Sequence, residues 1–62
     1  MTICEAKSHF GLKDTDRIMR DGLLAIKDAD EKRLKTWSLG TADKVALRLE
    51  IEACNVLLII AE

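Results

Sequence analysis

Along this chain the apolar residues recur at helical spacing in the first half and crowd together in the second. Ile3, Ala6 and Phe10 fall on one side of a helix, and Thr2 with Glu5 has the spacing of a capping box. A first helix is therefore expected from about Thr2 to Phe10. Met19, Leu23 and Ile26 repeat at the same period, which places a second helix over "RIMRDGLLAI". Asp14, Thr15 and Asp16 offer cap oxygens and negative charge at its positive end, so its start is expected near Thr15 or Asp16. The next stretch, "KDADEKR", has Ala29 as its one apolar residue. A polar run of that kind predicts a bend near Asp28–Asp30. "EKRLKTW" then forms a short helix, or the tail of a long one, with Leu34 and Trp37 inward. Gly11 and Gly40 each follow a helical stretch and suit a left-handed C-terminal cap.

The last sixteen residues, "LRLEIEACNVLLIIAE", admit two readings. As strand, Val45, Leu47, Leu49 and Ile51 alternate with Ala46, Arg48, Glu50 and Glu52, and "NVLLII" would return as the second arm of a hairpin. As helix, the segment starts at Thr41 as N-cap, with Asp43 in the first turn. Lys44, Arg48, Glu52, Asn55 and Glu62 then share an arc of about 80°. The helix is preferred because the polar stripe runs its whole length while the alternation stops at Ala53. "EACN" also lacks the glycine or Asn-Gly step of a tight hairpin. The expected fold is therefore all-α, one domain over residues 1–62, with three or four helices and a long apolar C-terminal helix over Ala42–Ala61. The alternative is α+β with a C-terminal hairpin.

Eight of the last ten residues are apolar, which raises the matter of what covers them. A chain of 62 residues buries only about 60% of its unfolded surface. Two short helices are too little to cover so wide an apolar face. A second copy is the expected cover, with Val45, Leu49, Ala53, Val56, Leu57 and Ile60 forming core or dimer interface. A span of the membrane needs roughly 20 apolar residues, and Arg48, Glu50 and Glu52 interrupt the run, so no membrane association is expected.

Composition narrows the function. The chain lacks proline and has three glycines, which favours helices over loops. Charge is mixed, with a formal net of −1, and no basic stripe marks a general polyanion binder. Cys4 and Cys54 without a secretory start suggest a reducing, cytoplasmic setting and two buried thiols, with a Cys4–Cys54 disulfide as the alternative. His9 is the single histidine. It stands four residues after Glu5 and reads as a surface pair with it. Cys4 and His9 lie five apart, an unusual spacing for metal ligands on a helix, so no metal or cofactor is expected. No phosphate-cradling loop, Ser/His/Asp set or paired catalytic carboxylates with a pocket are legible, so an enzyme is not expected.

One stretch carries a family resemblance. Thr2, Glu5 and Ala6, then Phe10-Gly11-Leu12, then Arg20-Asp21-Gly22-Leu23, resemble the opening of helix-turn-helix modules of the excisionase and MerR type. The resemblance covers residues 1–37. It implies a first helix, a glycine turn and a second helix that enters the major groove, followed by a wing. It further implies Lys13, Arg17 and Arg20 as contacts on that helix, and Lys32, Arg33 and Lys35 on the wing. Two functions follow as expectations. The first is a small regulator, adaptor or inhibitor that binds an unidentified protein through a mixed-charge helical surface, using those same cationic residues. The second is a compact helix-turn-helix transcriptional regulator that binds DNA.

Overall fold

The computed structural model describes residues 1–36 and 40–62, and within them the chain is all-helical. Three helices follow in order: α1 (Ile3–His9), α2 (Arg20–Thr36) and α3 (Thr41–Leu58). The segment that could have been a hairpin lies in α3, so the period of 3.6 prevails over the period of two. Trp37, expected to point inward, lies outside the described residues.

Both other helices pack on α3, while α1 and α2 share no packing among the described residues. The molecule is elongated, with extents of 38 × 20 × 15 Å. Its thinnest dimension is little more than one helix diameter of about 10–12 Å. Such a shape leaves room for a small core. Among the described residues it holds Ala6, Ile18, Leu23, Ala53, Cys54 and Leu57, flanked by Phe10, Leu12, Val56, Leu58 and Ala61. Ala6 and Ala53 are both fully buried.

α1 is only seven residues long, too short to persist alone, and both ends are closed by local hydrogen bonds. At its start the Glu5 N–H donates to the Thr2 hydroxyl, and the Thr2 N–H donates to the Glu5 carboxylate, each at 3.1 Å. The Thr2 N–H, and after it the Thr2 hydroxyl, favour the ionised Glu5 carboxylate and lower its pKa below the ordinary 4.5. At its end the Gly11 N–H donates to the Ser8 carbonyl and the Leu12 N–H to the Lys7 carbonyl. This paired pattern is a Schellman cap with Gly11 at the left-handed position, φ +68°. The cap turns Leu12 back onto the core.

Gly40 has another role than the expected C-terminal cap. At φ −63° it is the N-cap of α3, and Thr41 is the first residue inside. The cap has no side-chain hydrogen bond. α3 ends at Leu58 rather than Ala61, its last turn tightened by bonds from Ile59 to Val56 and from Ile60 to Leu57.

α2 departs from expectation at both ends. It begins at Arg20, because Asp16 is committed elsewhere: its carboxylate accepts from the Lys13 N–H at 2.8 Å, and its own N–H donates to the Lys13 carbonyl. Ile18 is drawn into the core, and residues 17–19 lead into α2 without helical structure. The Arg20 N–H, an orphan donor at a helix start, donates to the Glu62 carbonyl, while the Glu62 N–H donates to the Ile18 carbonyl. Farther along, the bend predicted at Asp28–Asp30 is absent. The helix runs unbroken through "KDADEKR", where its inward positions are polar: Lys27 and Glu31 are half-buried and Asp30 is buried, with the apolar Leu34 half-buried just beyond. Inward polar side chains hid the periodicity.

Gly11→Ala forces a side chain into the left-handed region and should lower the unfolding free energy by about 1–2 kcal/mol. Urea denaturation followed by circular dichroism at 222 nm reads this loss; an unchanged midpoint would refute the role of the cap.

Candidate interaction surface

Three features of the surface could carry function: a polar junction where the helices meet, an apolar groove beside α2, and the outward face of α3.

The junction gathers His9 from α1, Asp30 from α2, and Glu50 and Cys54 from α3. The antiparallel course of α2 and α3 sets Asp30 against Glu50, just as it joins Arg20 to Glu62. Asp30 is 4% exposed. Its Oδ2 has no hydrogen-bond partner while both carboxyl groups are ionised. A proton on Asp30 supplies the missing bond, since the O–H then donates to Glu50. Burial, this bond and the Glu50 charge raise the Asp30 pKa from 3.8 to about 6, against smaller opposing effects of Arg33 and His9. Glu50 in turn lies 3.8 Å from His9 Nε2, a contact that is ionic when His9 is protonated. The expected His9–Glu5 pair does not form, because Glu5 is engaged at the cap of α1.

Cys54 lies in the core behind this junction. Burial and the charges of Asp30 and Glu50 push its thiol pKa upward, which keeps it protonated and a poor nucleophile. Cys4 is exposed, contrary to the expectation of two buried thiols, and both cysteines are free. Among the described residues no group of three or more His, Cys, Asp or Glu side chains is placed to hold a metal ion. Likewise none of the described helices is long and apolar enough to cross a membrane.

The groove lies between the α1–α2 connection and the first turns of α2. It has a volume of about 340 Å³ and is lined by Phe10, Leu12, Ile18, Met19, Leu23 and Ile26, with Gly22 in its floor and Arg17 at its edge. Arg17 holds Glu62, donating from Nε at 3.0 Å and from Nη2 at 2.7 Å to one carboxylate oxygen. Both side chains are largely solvent-exposed, where such a pair contributes roughly 0–1 kcal/mol. Gly22 has no intrachain need for its missing side chain, since a Cβ there would meet nothing within 4 Å. The space it leaves belongs to the groove.

The six residues expected to form core or interface divide into two sets. Ala53 and Leu57 are fully buried within the chain, and Val56 packs partly against the core. Val45, Leu49 and Ile60 remain 49%, 45% and 41% exposed, so they are not part of this chain's own core. They line one outward stripe of α3 together with the free side of Val56. The expected cationic contacts are all exposed: Lys13, Arg17, Arg20, Lys32, Arg33 and Lys35. Lys32 pairs with Asp28 at 3.0 Å, one turn earlier on α2. The connection between α1 and α2 that carries Lys13 and Arg17 spans residues 10–19. The Asp30–Glu50 junction was missed in the sequence. The signal that could have found it is the run Leu23, Lys27, Asp30, Leu34, helically spaced if polar residues are admitted.

Comparison with protein families, with curated protein sequences and with solved structures finds no match to this chain.

Asp30 binds its proton more tightly in the folded than in the unfolded chain. Its contribution to stability is therefore full below pH 4 and is lost as pH rises toward 6, a difference of up to about 3 kcal/mol. Asp30→Asn should flatten that fall and stabilise the protein at pH 7 by about 1–3 kcal/mol. Denaturant midpoints from pH 3.5 to 7.5 measure it, and parallel curves for the two proteins would contradict the assignment. Gly22→Ala, by contrast, should raise stability by about 1 kcal/mol through helix propensity, because the methyl group enters open space. A fall in melting temperature would show that the groove floor is occupied by the chain itself.

Proposed function

We propose that this chain is a non-enzymatic regulator, adaptor or inhibitor that acts by protein–protein binding and that associates with a second copy of itself. The observation that carries this reading is the outward stripe of α3. Val45, Leu49 and Ile60 are large apolar side chains left in solvent, on a helix whose opposite face already makes the core. A chain of this size rarely stabilises itself with so few buried residues, and self-association is a common remedy. Exposed apolar side chains aligned along one helix face in this way mark interaction sites. The groove beside Gly22 and the exposed cations Arg20, Arg33 and Lys35 remain available for a different protein once the α3 stripe is covered.

Sedimentation equilibrium over micromolar to submillimolar concentrations tests the reading. The expected result is a reversible dimer, converted to a folded monomer by Leu49→Asp with its helical circular dichroism retained. A wild-type monomer throughout would overturn self-association. The DNA-binding reading is weighed by titrating a labelled random-sequence duplex at low and at moderate salt. Absence of binding at low salt, where electrostatic attraction is greatest, would support the protein-binding reading. Steeply salt-dependent binding that weakens in Arg17→Ala and Arg20→Ala would overturn it in favour of a helix-turn-helix regulator.

A further inference from the structure

The outward residues of α3 follow a heptad. Val45, Leu49, Glu52, Val56 and Ile59 are separated by four, three, four and three residues, the spacing of a coiled-coil seam. Val45 and Leu49 are about half exposed and Ile59 is 80% exposed. Glu52 is exposed, and Val56 has its core side covered and its other side open. The seam is apolar apart from Glu52, which sits at its middle. Arg48 precedes Glu52 by one turn and is exposed beside the seam. These two residues stand at i and i+4 with the cation first, the weaker order for a pair within one helix. Among the described residues neither makes an ion pair.

We infer that α3 pairs antiparallel with α3 of a second copy, and that Arg48 and Glu52 set the register. This rests on the self-association proposed above and adds its geometry. With the twofold axis between residues 50 and 51, Val45 of one copy lies opposite Val56 of its mate, and Leu49 lies opposite Glu52. Each Arg48 then stands beside the Glu52 carboxylate of the other chain, so one symmetric contact produces two ion pairs. Leu49 covers the methylene groups of Glu52, and the carboxylate leaves the seam toward the guanidinium. A parallel arrangement would bring Glu52 against Glu52 in the middle of the seam, which is repulsive. A shift of one heptad would leave Glu52 between apolar residues with no cation in reach. The charged seam residue thus costs some affinity and excludes the wrong pairings.

Charge exchange tests this. Sedimentation equilibrium is run on the wild type, Arg48→Glu, Glu52→Arg and the double variant, with circular dichroism confirming that each is folded. Each single change creates two like-charge contacts and should weaken dimerisation by about tenfold or more. The double variant restores opposite charges and should recover the wild-type dissociation constant within about threefold. A wild-type dimer that both single variants leave unaltered overturns the register while self-association stands. Single variants that weaken the dimer without rescue in the double overturn the Arg48–Glu52 pairing. A wild type that is monomeric at all concentrations overturns the register and the self-association reading together.

Discussion

Among the described residues every tertiary contact between helices is a contact with α3. α1 and α2 lie on it without packing on each other, so the fold is two interfaces sharing one helix. The close approach of α1 depends on small residues, Ala6 and Ala53, both without exposed surface. That of α2 depends on Leu23 and Ile18 at one end and on a carboxylate facing a carboxylate farther along. Fully buried Leu57 has the place in this arrangement where truncation leaves the largest void, and such voids cost several kcal/mol in small cores. A helix that must satisfy two neighbours on part of its circumference has its remaining face free. The exposed seam of α3 is thus a consequence of a three-helix chain with two of its helices on one side of the third.

The Asp30–Glu50 contact is costly in stability at neutral pH, because a buried carboxylate loses hydration and meets a like charge. Its effect on specificity is of another kind. Oδ2 has no partner in the ionised state, and sliding α2 along α3 would place the group against the apolar residues flanking Glu50, where no acceptor exists for its proton. One polar contact therefore fixes the relative position of two helices that are otherwise joined by few apolar residues.

The helices were legible where apolar periodicity and cap chemistry coincided. Thr2 and Glu5 marked the start of α1, Gly11 its end, and the polar stripe from Lys44 through Asn55 showed α3 to be a helix. α2 was less legible for two physical reasons. Its cap candidates near Asp16 are spent on a local turn, while the true start is satisfied by the distant carbonyl of Glu62. Its inward stripe contains Lys27 and Asp30, so a segment that looked like a solvated bend is a helix with one buried position, Asp30, on its inner face. The groove had a faint trace in the sequence, a glycine within a helical stretch, but its walls come from the connection at Phe10, Leu12 and Ile18 and could be assembled only in three dimensions. Among the residues expected at an interface, burial separates Ala53 and Leu57 from Val45, Leu49 and Ile60, a division that depends on which arc of α3 its neighbours occupy.

The pair of backbone bonds between Glu62 and the residues on either side of Met19 bears on the order in which the chain assembles. They join positions more than forty residues apart, and closing a loop of that length carries an entropic cost that nearer contacts do not. The α2–α3 hairpin can zip from its sequence-local end, beginning near Arg33 and Leu47 and passing through Asp30 and Glu50. The Glu62 bonds are then formed late. In the folded molecule they are the hasp on a hinged box: when they open, the first N–H of α2 loses its acceptor, and Ile18 loses the strap that holds it over the core. Fraying at the end of α3 and fraying at the start of α2 are one event.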